Sequence, residues 1–159
     1  MSNKIEEISK LLPKFKFKNK GQVYFHEVDI FKVVHNLKYL FWTENARVSY
    51  CNHLGIGVVP SSADNVDFSV LLAHSSVTYF SPAHFLDKYI VYTRVKTLGN
   101  SSMEFEHVVT LDNDDILLVN NAIEVYVDLD KKPMTIPNSI RNKIIEFEKE
   151  DVILKNGTL

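Results

Sequence analysis

Glu27-Val-Asp-Ile-Phe-Lys-Val-Val-His-Asn-Leu-Lys-Tyr-Leu-Phe-Trp-Thr-Glu-Asn-Ala-Arg47 runs into a long helix around which the rest of the chain must be arranged. It sets one carboxylate, Asp29, between an apolar strand-like run and the start of a long, mostly apolar helix. A helix N-terminus carries unpaired N–H groups and a partial positive charge. A carboxylate beside such an end, in an apolar wall, suits a nucleophile or general base facing an oxyanion site.

The helix is expected from about Val34 to Leu54, stopped by Gly55. At 100° per residue, Leu37, Leu40, Phe41, Val48 and Cys51 form one stripe, while Tyr39, Trp42, Ala46 and Tyr50 cover the opposite side. Lys38, Asn45, Ser49 and Asn52 make the only continuous polar arc. A helix apolar around most of its circumference is a buried helix, so a sheet must wrap it.

The flanking sequence supplies that sheet. Upstream, Gln22 to Val28 alternates like a strand. Downstream, Phe68–Phe80, Tyr89–Thr97, Met103–Leu111 and Ile116–Val127 are rich in β-branched and aromatic residues. Ser81-Pro82, Leu98–Ser101 and Asp112–Asp115 give turns between them. Four consecutive strands with short connections imply an antiparallel meander, and the fold class is α+β. A final amphipathic helix opens after Ile136-Pro137, with Ile140, Ile144 and Phe147 on one side. At the other end, Ile5, Ile8, Leu11 and Leu12 suggest a short helix halted by Pro13, and Lys14–Lys20 reads as a solvated basic arm. The chain divides into an N-terminal arm (1–21), a single domain (22–150) and a C-terminal tail (151–159).

Composition narrows the function. With 159 residues, 45% hydrophobic and 24% charged, the chain is an ordinary globular protein with room for a sizeable core. A net charge of -2 gives no case for nucleic acid or an anionic membrane as partner. No apolar run approaches the roughly 20 residues that span a bilayer, and the N-terminus lacks the order of a signal peptide. A cytoplasmic protein is expected. One cysteine, Cys51, excludes an intrachain disulfide and reads as a packed core thiol. The six histidines show no metal-ligand spacing, and Ser75-Ser76 lacks a nucleophile-elbow glycine pattern.

Asp29 with Val33-Val34-His35-Asn36, then Tyr39, Trp42, Glu44 and Ala46-Arg47, resembles the signature of the 4-hydroxybenzoyl-CoA-thioesterase-like hotdog proteins. Tyr79-Phe-Ser-Pro82 with Asp87 is similar to the exit of that family's second strand, and Ile136-Pro137 to its closing segment. The resemblance implies a hotdog fold, a long helix wrapped by a curved antiparallel sheet, assembled as a homodimer or a dimer of dimers. It implies hydrolysis of an acyl-CoA or acyl-carrier-protein thioester without metal or redox cofactor. Carried over, Asp29 is nucleophile or base, and the backbone N–H of Asn36 polarises the thioester carbonyl. His35 is a further catalytic candidate, able to orient water or thioester because imidazole titrates near neutral pH. Val34, Tyr39, Trp42 and Tyr79 are the expected substrate contacts. Glu44, inside the apolar stripe with Arg47 three residues on, reads as a structural ion pair at the dimer seam and as the reserve catalytic carboxylate.

One departure stands out: Lys32 occupies a position where many relatives have glycine. A positive φ there would cost a lysine about 1 kcal/mol or more. Two other activities fit the same pattern. A hotdog hydratase or dehydratase would pair His35 with Asp29, and a noncatalytic acyl-CoA-binding module would tolerate Lys32.

Overall fold

The computed structural model describes residues 2–57 and 69–155. The expected strand start at Phe68 and residues 156–159 of the expected tail lie outside these. The elements in chain order are α1 (Ser2–Leu11), β1 (Phe17–Gln22), α2 (Asn36–His53), β2 (Val70–Tyr79), β3 (Lys88–Leu98), β4 (Ser102–Leu111), β5 (Ile116–Tyr126), α3 (Asn138–Glu148) and β6 (Ile153–Leu154).

The sheet runs β1-β3-β4-β5-β2, antiparallel throughout, with short β6 added parallel to β3. Helix α2 lies on its inner face. There Tyr39, Trp42 and Ala46 meet Val91, Val109 and Leu118, and Tyr50 meets Val95, Phe105 and Ala122. The outer face is covered by α1 and the turn after it, where Ile8 and Phe15 pack with Tyr92, Val108 and Ile116. This is the expected hotdog layout, one helix held by an antiparallel sheet.

Three expectations are corrected. The first strand is Phe17–Gln22 and not Gln22–Val28; Phe25–Glu27 instead forms a turn of 3-10 helix. The basic segment hides a strand because Phe15 and Phe17 alternate with lysines, burying one side while Lys16, Lys18 and Lys20 stay exposed on the other. Its Gly21 is required sterically, since a Cβ there would lie 2.3 Å from the Tyr89 ring.

Second, the four later strands are not a simple meander. β3, β4 and β5 follow one another, but β2 pairs with β5 at the far edge, nine residue pairs in antiparallel register. Residues 80–87 therefore carry the chain across the end of the sheet, from the β2 edge to β3, the strand next to the opposite edge. They pass beneath the start of α2, where Val34 N–H donates to Ala83 O (2.8 Å) and Ala83 N–H to Tyr39 Oη (2.9 Å).

Third, α2 is buried on one side only. Tyr39, Trp42, Thr43, Ala46, Tyr50 and Cys51 are buried, whereas Leu37 and Phe41 are about half exposed and Glu44 is exposed. The second apolar stripe faces out of the single chain. Edge strand β2 is likewise exposed over most of its length, Leu71 and Leu72 included.

Candidate active site

Asp29 sits at the head of a tight turn. Its backbone N–H donates to Val33 O (2.9 Å), its carbonyl accepts from Lys32 N–H (3.0 Å), and its Oδ1 accepts from Phe31 N–H (2.8 Å). The side chain bonding two residues ahead is the ordinary habit of Asp at a turn. It leaves Oδ2 without an acceptor role among the described residues. Closing this turn needs a left-handed residue, and Lys32 supplies it at φ 62°. The strain anticipated for lysine at the usual glycine position is thus present.

The turn is the tip of a small hairpin that ends at the helix. Val28 bridges Val34, and His35 N–H donates to Glu27 O (2.9 Å). His35 is the N-cap of α2, its Nδ1 accepting from Leu37 N–H (3.3 Å), while Lys38 N–H closes onto His35 O (2.8 Å). Of the first three helical N–H groups, only that of Asn36 finds no acceptor among the described residues. Orphan N–H groups at a helix start point along the positive end of its dipole.

Below this helix end lies a pocket of about 250 Å³ lined by Val34, Asn36, Tyr39, Tyr79, Phe80 and Pro82. Tyr79 Oη donates to Asn36 O (3.0 Å), fastening β2 to the first turn of α2. Burial raises the phenols of Tyr39 and Tyr79, so both stay protonated at neutral pH.

Asp29, His35, Asn36, Val34, Tyr39 and Tyr79 are thus gathered around the start of α2. Trp42 is not. It is buried behind the site, stacked on Tyr89 at 3.8 Å, with Nε1 donating to Glu27 Oε1 (2.7 Å). Glu44 also lies apart and does not pair with Arg47. The guanidinium reaches across to Glu124 on β5 (2.7 Å). Burial raises the Glu124 carboxyl, with Arg47 opposing and the Glu44 charge adding to the rise. These three residues line a separate pocket of about 470 Å³ between α2 and β2, along with Ser75, Asn120 and Cys51. Burial pushes the Cys51 thiol up to about 12, in keeping with a packed core thiol.

Glu27 was missed as a site residue. This buried carboxylate accepts from Tyr24 N–H (2.7 Å) and from Trp42, while its carbonyl holds His35. It thereby ties the segment leading to Asp29 onto both the start and the second turn of α2. No local sequence signal announces this pairing, which joins residues 15 apart on different elements. Among the described residues no group of three or more His, Cys, Asp or Glu is placed to hold a metal ion.

Comparison with known proteins follows this geometry. The model of the thioesterase-like superfamily matches residues 23–144. The chloroplastic acyl-acyl carrier protein thioesterase ATL3 of Arabidopsis thaliana is 28% identical over 144 residues, covering 83% of this chain and 74% of that protein. The acyl-CoA thioester hydrolase YbgC of Escherichia coli is 26% identical over 129 residues, covering 80% and 92%. A crystal structure of a Thermus thermophilus thioesterase complexed with coenzyme A and zinc superposes with a TM-score of 0.73 at 26% identity, covering 85% and 96%.

Proposed function

Since the chain belongs to the thioesterase-like superfamily, we propose that it hydrolyses acyl thioesters of CoA or of a carrier protein at the start of α2, with Asp29 as the reacting carboxylate. The observation that carries this reading is the Asn36 N–H, without an acceptor among the described residues, above an apolar pocket, with Asp29 at the tip of the hairpin that Glu27 and His35 close. Asn36 follows the residue paired with Glu27, and Asp29 lies two residues beyond Glu27, about 7 Å of extended chain. A thioester carbonyl fits between them, its oxygen on the Asn36 N–H and its carbon toward Asp29 Oδ2. The developing oxyanion then gains a fixed donor and the helix dipole at no cost in reorganisation.

Two routes share this geometry. In one, an Asp29 oxygen bonds to the carbonyl carbon and the C–S bond breaks, releasing the thiolate; water then adds to the Asp29 carboxyl carbon of the mixed anhydride, freeing the acyl carboxylate with that Asp29 oxygen, and one proton of this water goes to the thiolate. In the other, Asp29 takes a proton from water as its hydroxyl adds to the carbon, and the thiolate leaves with that proton. Labelled-oxygen single turnovers separate them, because only the first places enzyme oxygen in the product. His35, whose Nδ1 caps the helix, serves this reading by holding the first turn in place. Tyr79 and Tyr39 wall the acyl pocket, and Glu44 stays in reserve at the second pocket.

A homodimer completes the assembly. Strand β2 at the sheet edge offers unpaired backbone groups, and the exposed stripe of Leu37 and Phe41 offers apolar area beside it. A second copy adding its own β2 would cover both. The lone, buried cysteine accords with a cytoplasmic setting.

Thiol release over a panel of acyl-CoA chain lengths and one acyl-carrier protein, with Asp29→Ala as control, tests the reading. Turnover in the wild type and its loss in the variant are expected. Tight ligand binding without turnover would instead make the chain a binding module.

A further inference from the structure

Hydrolysis at the start of α2 leaves the second pocket unexplained. Both pockets lie along one seam between α2 and β2. The first is bounded by Asn36 and Tyr39 with Tyr79 across from them. The second opens one helical turn on, at Leu40 and Thr43 with Ser75, and extends to Cys51 and Val70. Its volume of about 470 Å³ is ample for an organic ligand. The wall that α2 supplies is its shoulder beside β2, whereas Leu37 and Phe41 belong to the outward stripe.

Polar side chains are sunk into this pocket. Asn120 on β5 is 1% exposed and donates from Nδ2 to Ser75 Oγ (3.0 Å) and Ser76 O (3.1 Å). A carbonyl only accepts, so Ser76 O fixes the NH₂ group on the β2 side. The remaining Oδ1 accepts from no donor among the described residues. His107, paired with Asn120 in the β4–β5 register, likewise leaves Nε2 unmet among the described residues. A buried polar atom without a partner destabilises the fold, and a ligand that supplies the partner is held by it. Arg47 meets Glu124 Oε1 through Nε at 2.7 Å, and its terminal nitrogens hydrogen-bond to nothing among the described residues.

Charge and position narrow the ligand. The charged residues lining the pocket are Glu44, Arg47 and Glu124, two carboxylates to one guanidinium. Their surplus repels a carboxylate, and an ammonium would have to enter beside Arg47. A hydroxyl fits, since it can donate to Asn120 Oδ1 and accept from an Arg47 N–H without burying a charge. Thr43 and Arg47 follow Asn36 along α2 by about 11 and 16 Å. An extended single-bonded chain advances about 1.2 Å per bond, which puts the hydroxyl roughly nine to thirteen bonds beyond the thioester carbonyl. An acyl group made of a single aromatic ring falls short of that distance.

We propose that the α2–β2 seam carries an aliphatic acyl chain from the Asn36 end into this pocket, where Asn120 and Arg47 receive a hydroxyl at its far end. The inference rests on the thioesterase reading and names its substrate class, an ω-hydroxyacyl thioester.

Thiol release from ω-hydroxydodecanoyl-CoA, dodecanoyl-CoA and dodecanedioyl-CoA tests it on the wild type and on Asn120→Leu. The wild type is expected to favour the hydroxylated chain over the plain one about tenfold in kcat/KM, the worth of one buried hydrogen bond. The carboxyl-ended chain should be slower than either. Asn120→Leu should bring the hydroxyl preference to within about twofold of parity. A merely structural loss would slow both substrates alike and keep their ratio. Equilibrium binding of the S-dodecyl thioether of CoA and of its ω-hydroxy counterpart, neither of which can be hydrolysed, should show the same tenfold preference. Hydroxyl-preferring binding without any turnover upholds the ligand class of the seam and sinks the thioesterase reading. Equal turnover of the hydroxylated and plain chains, as when side chains of a second copy fill the seam, overturns the inference and leaves that reading intact. So does a preference for the carboxyl end, or a hydroxyl preference that Asn120→Leu retains.

Discussion

Replacing Glu27 by glutamine tests whether this carboxylate holds the hairpin against the helix. The side chain keeps its shape, but one oxygen becomes an NH₂ group. Its two oxygens each accept a 2.7 Å bond, from Tyr24 N–H and Trp42 Nε1–H, in a site only 8% exposed. The amide can satisfy one donor and must confront the other. A buried donor left unmet costs about 1–3 kcal/mol, and the surviving bond loses its charge assistance, so about 2–4 kcal/mol is expected. For a chain of this length that lowers the unfolding midpoint by about 5–10 °C. Trp42 is the only tryptophan and stacks on Tyr89, so intrinsic fluorescence reads this locality during a thermal melt. The turnover number should fall as well, because the His35 tether to Glu27 O positions both Asn36 and Asp29. Trp42→Phe should be non-additive with Glu27→Gln, since the two changes share one hydrogen bond. A Glu27→Gln midpoint within about 1 °C of wild type would refute the reasoning.

Lys32→Gly should raise the midpoint by about 2–4 °C, relieving about 1 kcal/mol of left-handed strain, as a melt will show. His107 is fully buried, its Nδ1 within 2.9 Å of Thr93 Oγ1 and its Nε2 without a partner among the described residues. Burial first, then the Arg47 charge, lowers its pKa to about 3. The unfolded chain thus takes up this proton first as pH falls, and stability drops by about 1.4 kcal/mol per unit below pH 6.5 until pH 3. His107→Gln should lessen that slope in denaturant titrations at successive pH values. Cys51, buried and with its thiol pushed up to about 12, should react with a disulfide reagent only after denaturation, leaving thiol-release assays free of background.

Much of the fold was legible because its signals are local. The later strands begin and end close to where β-branched runs meet Ser81-Pro82, Leu98–Ser101 and Asp112–Asp115. Gly55 ends α2 at φ 64°, and Pro137 stands just before α3. What escaped was non-local. Nothing in the β2 sequence says that it pairs with β5 across the sheet, because that choice is made by where residues 80–87 can pass under α2. Strand β1 was masked by lysines whose stems lie along the sheet. The second apolar stripe of α2 carries the composition of a buried face, yet Leu37 and Phe41 stay about half exposed in the single chain. The spacing of Asp29, His35 and Asn36 foretold their place around the helix start, though not what they do there. Trp42 was misplaced because an aromatic at helical spacing has the same appearance whether it faces a pocket or a core. Arg47 was assigned to the nearest carboxylate in sequence, Glu44, when a long guanidinium reaches Glu124 on another element.

In the proposed reaction Asp29 performs the chemistry while taking little part in holding the fold. Asp29→Asn keeps the Oδ1 that accepts from Phe31 N–H, so the turn should persist and the melting midpoint should stay close to wild type. Measured as steady-state thiol release on the best acyl-CoA substrate, the turnover number should fall by about 10²–10⁴. An Asp29→Asn protein that melts like wild type and turns over within about twofold of its rate would contradict the account.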